Sequence, residues 1–110
     1  MGLVVPAILP SSRKELEEGL ALLTRIPSVS RVQIDTVDGR FASPASWPYT
    51  NVQEFRDMIK RGEMLPHLNR LEYEIDLMCF DVEGALEAWM ALGAAHFVFH
   101  AESTTDLPRL

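Results

Sequence analysis

Positive charge is scarce in this chain. Ten Lys and Arg face sixteen Asp and Glu, for a formal net charge of −6. That balance argues against nucleic acid and anionic membrane surfaces as partners. Cysteine is scarcer still. Cys79 stands alone, so no internal disulfide framework exists, and a reducing cytoplasm is the expected compartment. No apolar run approaches the roughly 18 residues needed to span a bilayer. The opening "MGLVVPAILP" lacks a basic leader and meets Pro6, so it reads as a first strand rather than a signal peptide. Pro6 also stands where a myristoylation signal has Ser or Thr. There is no low-complexity segment and no convincing internal repeat.

What remains is an ordinary globular composition. The 110 residues are 47% hydrophobic, which fits one small folded domain, 1–110. "LVVPAIL" predicts a strand over 3–9, although Pro6 removes one ladder donor and suggests an edge. "SRKE" at Ser12–Glu15 fits a capping box, and Leu16, Leu20, Leu23 and Ile26 follow at helical spacing, predicting a helix over 13–26 that Pro27 stops. "RVQIDT" alternates and predicts a strand over 31–36. A loop rich in Pro, Ser and Gly follows, long enough to suggest a function. Within it, Trp47 and Tyr49 read as anchors to the core rather than as a pocket cover. Further elements are expected as a helix over 52–61, a strand over 71–78, a helix over 82–92 and a strand over 96–101. Met90 joins Val82, Leu86 and Trp89 on the stripe of the last helix, and the helical Met residues read as core.

Strands alternating with helices imply parallel pairing with right-handed crossovers. Successive strand residues point to opposite faces. One parity holds Val4, Ile8, Val32, Ile34, Tyr73, Ile75, Leu77, Phe97 and Phe99. It is apolar and forms a floor for helices. The other holds Val5, Ala7, Leu9, Gln33, Asp35, Glu74, Asp76, Met78, His96, Val98 and His100, and Glu102 continues it; it is rich in carboxylates and carries two histidines. A parallel sheet with helices on both sides needs two apolar faces. Here there is one. The implied fold class is α/β: a parallel four-stranded (βα)4-type TIM half-barrel with helices on one face. Its open edges, the first and last strands, would be satisfied by a two-fold homodimer completing an eight-stranded barrel.

"VVPAILPSS", "VQIDTVDGRF", "YEIDLM" and "GAAHFVFHAES" lie in an order and spacing that resemble the N-terminal half of ribulose-phosphate 3-epimerases. The resemblance implies a barrel about twice this length, and a metal-dependent isomerase acting on pentulose phosphates in carbohydrate metabolism. It implies that Asp35 is an acid/base group and metal ligand. It also implies histidine metal ligands where this chain has Gln33 and Asp76, and a serine where it has Ala7. Asp38, Gly39, Leu77 and Met78 match the family pattern. The second acid/base aspartate and the phosphate-binding glycine loops belong to the other half of a family barrel.

Epimerisation beside a carbonyl needs a base on one face of the carbon, an acid on the other, and something to hold the enediolate. With both imidazoles replaced, the expectation is a chain inactive alone, without a cofactor, that self-associates. If a divalent ion bound, Asp35 and Asp76 would be the ligands. The alternative is a truncated sugar-phosphate epimerase or isomerase, active only with a second half-barrel. Asp35 is the catalytic candidate, against the simpler reading of a solvated carboxylate. Gln33, Asp76, Met78, His100 and Glu102 are expected around the pocket rim. Asp38–Gly39 reads as turn chemistry. Cys79 reads as inert, and His67 and His96 carry no assigned role.

Overall fold

The computed structural model describes residues 5–100. Expectations for Leu3, Val4, Ala101 and Glu102 lie outside those residues. Strand and helix alternate as β1 (Ala7–Ile8), α1 (Arg13–Leu23), β2 (Arg31–Val37), α2 (Val52–Lys60), β3 (Glu72–Met78), α3 (Val82–Ala91) and β4 (His96–Phe99). The four strands form one all-parallel sheet in the order β1-β2-β3-β4. Among the described residues, no helix is long and apolar enough to cross a membrane.

Local chemistry sets the helix ends. Ser12 Oγ accepts the Glu15 N–H at 3.1 Å, as the capping-box pattern requires. The reciprocal bond differs. The Glu15 carboxylate accepts from the N–H and hydroxyl of Ser11, at 3.2 and 2.5 Å, rather than from Ser12. Asn51 and Asp81 cap α2 and α3 by accepting from Glu54 N–H and Gly84 N–H, both at 3.1 Å.

α1 stops three residues short of the expected boundary. Arg25 and Ile26 continue only as tight turns onto Leu22 and Leu23 carbonyls. Pro27 disfavours helical backbone in the residue before it, and Ile26 is left exposed.

The two parities of the sheet behave differently. Val32, Ile34, Tyr73, Ile75 and Leu77 are fully buried. They share one cluster with Leu16 and Leu20 of α1, Phe55 and Met58 of α2, and Val82 and Trp89 of α3. All three helices therefore pack against the same sheet face. Two expected core residues do not join it. Met90 is 56% exposed on the outer side of α3, and Phe99 is 43% exposed at the end of β4. Among the described residues Phe99 lies on an edge strand of the sheet.

The loop after β2 is anchored rather than loose. Ser46 Oγ accepts the Val37 N–H at 2.8 Å, and Ser46 N–H returns a bond to Val37 O at 2.9 Å. Trp47 N–H donates to Pro10 O at 2.9 Å. The Trp47 indole is wholly buried, with ring centroids 5.4 Å from Phe55 and 6.0 Å from Trp89 in edge-to-face contact. Its Nε1–H donates to Glu54 at 2.8 Å. The buried indole needs that partner, since an unsatisfied donor would be costly there. Trp47 thus anchors the loop, as its sequence context suggested.

Candidate functional site

The sheet register decides which polar side chains meet. Gln33 pairs with Glu74, and Asp35 with Asp76. Glu74 in turn pairs with His96 on β4, and Asp76 with Val98. All lie on the parity the helices do not cover. Gln33, Asp35, Asp76 and Met78 are half-buried there.

Toward the C-terminal ends of the strands, four expected residues come together. The Gln33 amide nitrogen donates to Asp35 Oδ1 at 2.7 Å and, more weakly, to Asp76 Oδ2 at 3.4 Å. His100 Nε2 lies 2.6 Å from Asp76 Oδ1. The carboxylate accepts, so that nitrogen carries the proton. Asp76 is therefore held from both sides, by an amide and an imidazole. Met78 lies further along the same side of β3. Glu102 lies outside the described residues.

Toward the N-terminal ends, a second network forms that sequence reasoning did not single out. Arg31 lies 3.1 Å from Glu72 and 3.9 Å from Glu74, and His96 Nε2 lies 2.8 Å from Glu72. Bonds from His96 and Arg31 hold the Glu72 carboxyl below its ordinary pKa. The signal was available: Arg31, Glu72 and His96 open their strands on the polar parity.

Asp38 belongs to neither network. Its Oδ1 accepts from the N–H groups of Arg40 and Phe41 at 2.8 and 2.7 Å, and its Oδ2 from Phe80 N–H at 3.0 Å. Partial burial pushes its pKa up, but the three backbone bonds and the Arg40 charge outweigh burial and hold it below the ordinary value. Asp38 thus ties the turn after β2 to the turn after β3. Gly39 beside it has φ of 85°, a conformation that favours glycine. The structural reading of the Asp-Gly pair is the one observed.

Aromatic side chains gather at the same rim, a cluster that strand periodicity does not announce. Phe41 meets Phe80 edge-on at 5.6 Å, and the His100 ring lies 5.9 Å from Phe41. The Arg40 guanidinium sits 5.7 Å over the Phe80 ring. A cleft of about 450 Å³ opens between Asp38, Arg40, Tyr49, Phe80 and Asp81. Its two carboxylates are already engaged, one by backbone N–H groups and one as the α3 cap. Burial pushes both the Tyr49 hydroxyl and the Cys79 thiol upward in pKa. A thiol kept protonated and buried is unreactive, as expected for Cys79.

Among the described residues no three His, Cys, Asp or Glu side chains converge as ligands. The Gln33 amide nitrogen, a donor that cannot ligate a cation, points toward both candidate carboxylates. No metal-dependent step is assigned to them. The chain matches no protein-family model, no curated protein and no solved structure.

Proposed function

We propose that this chain is half of an eight-stranded barrel, related to ribulose-phosphate 3-epimerases, that self-associates as a homodimer and does not epimerise sugar phosphates. One observation carries the reading. The sheet runs β1-β2-β3-β4, all parallel, with every helix on one face and polar side chains on the other. A barrel built from such units turns the polar face inward and leaves no open edge. Among the described residues, β1 and β4 are both edges, and edges invite pairing.

The absence of turnover follows from the polar face. Where the family resemblance implies imidazoles, an amide and a carboxylate stand instead. Asp35, the remaining acid/base candidate, accepts a bond from Gln33. Its neighbour across the sheet, Asp76, stands on the same face and is itself held by Gln33 and His100, so it supplies no partner on the opposite side of a substrate carbon. Proton exchange at one carbon needs both.

A second reading keeps the enzyme: an epimerase or isomerase assembled when another half-barrel supplies the missing groups. The position of Asp35, half-buried on the inward parity, favours it.

Light scattering at micromolar concentration should give a dimer mass, and a strictly monomeric species would sink the proposal. A pentulose-phosphate epimerase assay with added divalent cations should show no turnover. Metal-dependent turnover by the pure dimer would overturn the inactive reading in favour of the second.

A further inference from the structure

The register within the sheet, taken with the dimer reading on which this inference rests, fixes how two copies would meet. Ala7, Gln33, Glu74 and His96 are successive partners across the four strands. Around a closed eight-stranded parallel barrel, such a line returns to its first strand displaced by a shear of about eight residues. A two-fold axis along the barrel divides that displacement equally, about four residues at each junction between copies. The line from His96 must therefore reach β1 of the second copy four residues above or below Ala7. Four residues above is Ser11, which adjoins the α1 cap Ser12 and offers no strand. The upward step would run β4 into the cap and first turn of α1, whereas the downward step sets it beside the residues that lead into β1. It places Val98 opposite Val5 of the second copy, and His100 opposite Ala7.

The backbone of β1 suits that pairing. Pro6 O accepts the Gln33 N–H at 2.8 Å, so Pro6 faces β2. A strand residue turns its N–H and C=O to the same side. The donor that Pro6 lacks would therefore have pointed into the sheet, and the next residue, Ala7, turns its own N–H and C=O to the open edge. Proline often protects an exposed edge strand. This one leaves the outer row of β1 intact. The side chains agree as well. Val98, 37% exposed on the uncovered face, gains an apolar neighbour in Val5. His100, held by Asp76, lies opposite a methyl group that leaves room for its ring.

We propose that β4 pairs in parallel with β1 of a second copy in this four-residue-shifted register, Val98 opposite Val5 and His100 opposite Ala7, so that the polar face becomes a shared interior.

Double-cysteine variants test it under copper–phenanthroline oxidation, read as covalent dimer on non-reducing gels. Residues opposite each other on adjacent strands lie within disulfide reach. Within one copy β1 and β4 are about 14 Å apart, three strand spacings, so an internal bridge is excluded. Val5→Cys/Val98→Cys and Ala7→Cys/His100→Cys should cross-link at least tenfold faster than Leu9→Cys/Val98→Cys, which reports the unshifted register. In the shifted register that control pair is separated along the strands by about 13 Å. Two test pairs guard against one variant failing to fold, and circular dichroism checks each. Faster cross-linking of the control, or equal rates, overturns the register while a dimer mass leaves the underlying reading standing. A monomer by light scattering overturns both.

Discussion

Removing the Asp38 carboxylate should loosen the turns after β2 and β3 together. In Asp38→Ala, three backbone N–H groups, of Arg40, Phe41 and Phe80, lose their acceptor. Hydrogen bonds to a charged group contribute about 1.5–3 kcal/mol each when the donors are then stranded away from water. Here Arg40 and Phe80 are exposed, so water replaces much of what is lost. The side chain acts much like a helix cap, whose loss costs about 0.5–2 kcal/mol. We expect about 2 kcal/mol, or a fall in Tm of roughly 8 °C for a domain of this size. Asp38→Asn should fall between, because the amide oxygen still serves one side of the tie while the NH2 group cannot accept from Phe80.

The pH dependence adds a second readout. The folded carboxyl titrates below its ordinary value of 3.8. Its charge-dependent contribution is complete above that pH and is lost as the pH falls through the folded value. The gap between wild type and Asp38→Ala, measured by urea unfolding, should be constant from pH 7 to 5 and narrow in stronger acid. A variant within about 0.5 kcal/mol of wild type at pH 7, the reach of an ordinary surface substitution, would refute the tie. So would a gap that widens on acidification.

Two further outcomes follow from the packing and charge. Trp47→Ala empties the centre of the Trp47–Phe55–Trp89 cluster and should cost about 3–5 kcal/mol, a large part of a small domain's stability; a chemical denaturation curve unmoved by the change would contradict the anchoring role. Asp35→Asn removes one charge from each inward face, and should raise the dimer association constant about threefold at low salt, with a smaller effect at high salt where repulsion is screened; sedimentation showing weaker association would contradict an inward-facing Asp35.

Alternation and caps carried most of the fold. The Ser12 cap and the strands β2 and β3 lie within a residue or two of their readings, β1 is shorter than the strand expected over 3–9, and the parity argument correctly separated covered from uncovered sheet face. The misses have physical reasons. Helical spacing carried α1 through Ile26, but a following proline outweighs spacing. Spacing also put Met90 inside, but spacing alone does not show how wide a stripe the sheet can cover. The site was legible only in part. Period-two parity brought Gln33, Asp35 and Asp76 to one face, while their distances depended on register, which no single strand encodes. Phe41 and Phe80 are far apart in the chain and meet only because the turns after β2 and β3 are adjacent. The tie that holds those turns, Asp38, looked like a turn residue because locally it is one. Its third bond reaches across 42 positions to Phe80.

The polar face faces opposite demands if a second copy covers it. Covering carboxylates removes their water, which is expensive unless donors within the protein replace it. This face already supplies such donors. Gln33 serves Asp35, Gln33 and His100 serve Asp76, and Arg31 serves Glu72 and Glu74, with His96 adding to Glu72. The groups that gain most from being covered are apolar: Val98 on this face and Leu9 at the end of β1, both exposed. The same donors weigh against catalysis. A carboxylate acting as base must direct a lone pair at the substrate, and Asp35 Oδ1 is directed at an amide N–H two residues away on its own strand. The bonds that prepare the face for burial therefore also engage one oxygen of Asp35, the group proposed above as an acid/base.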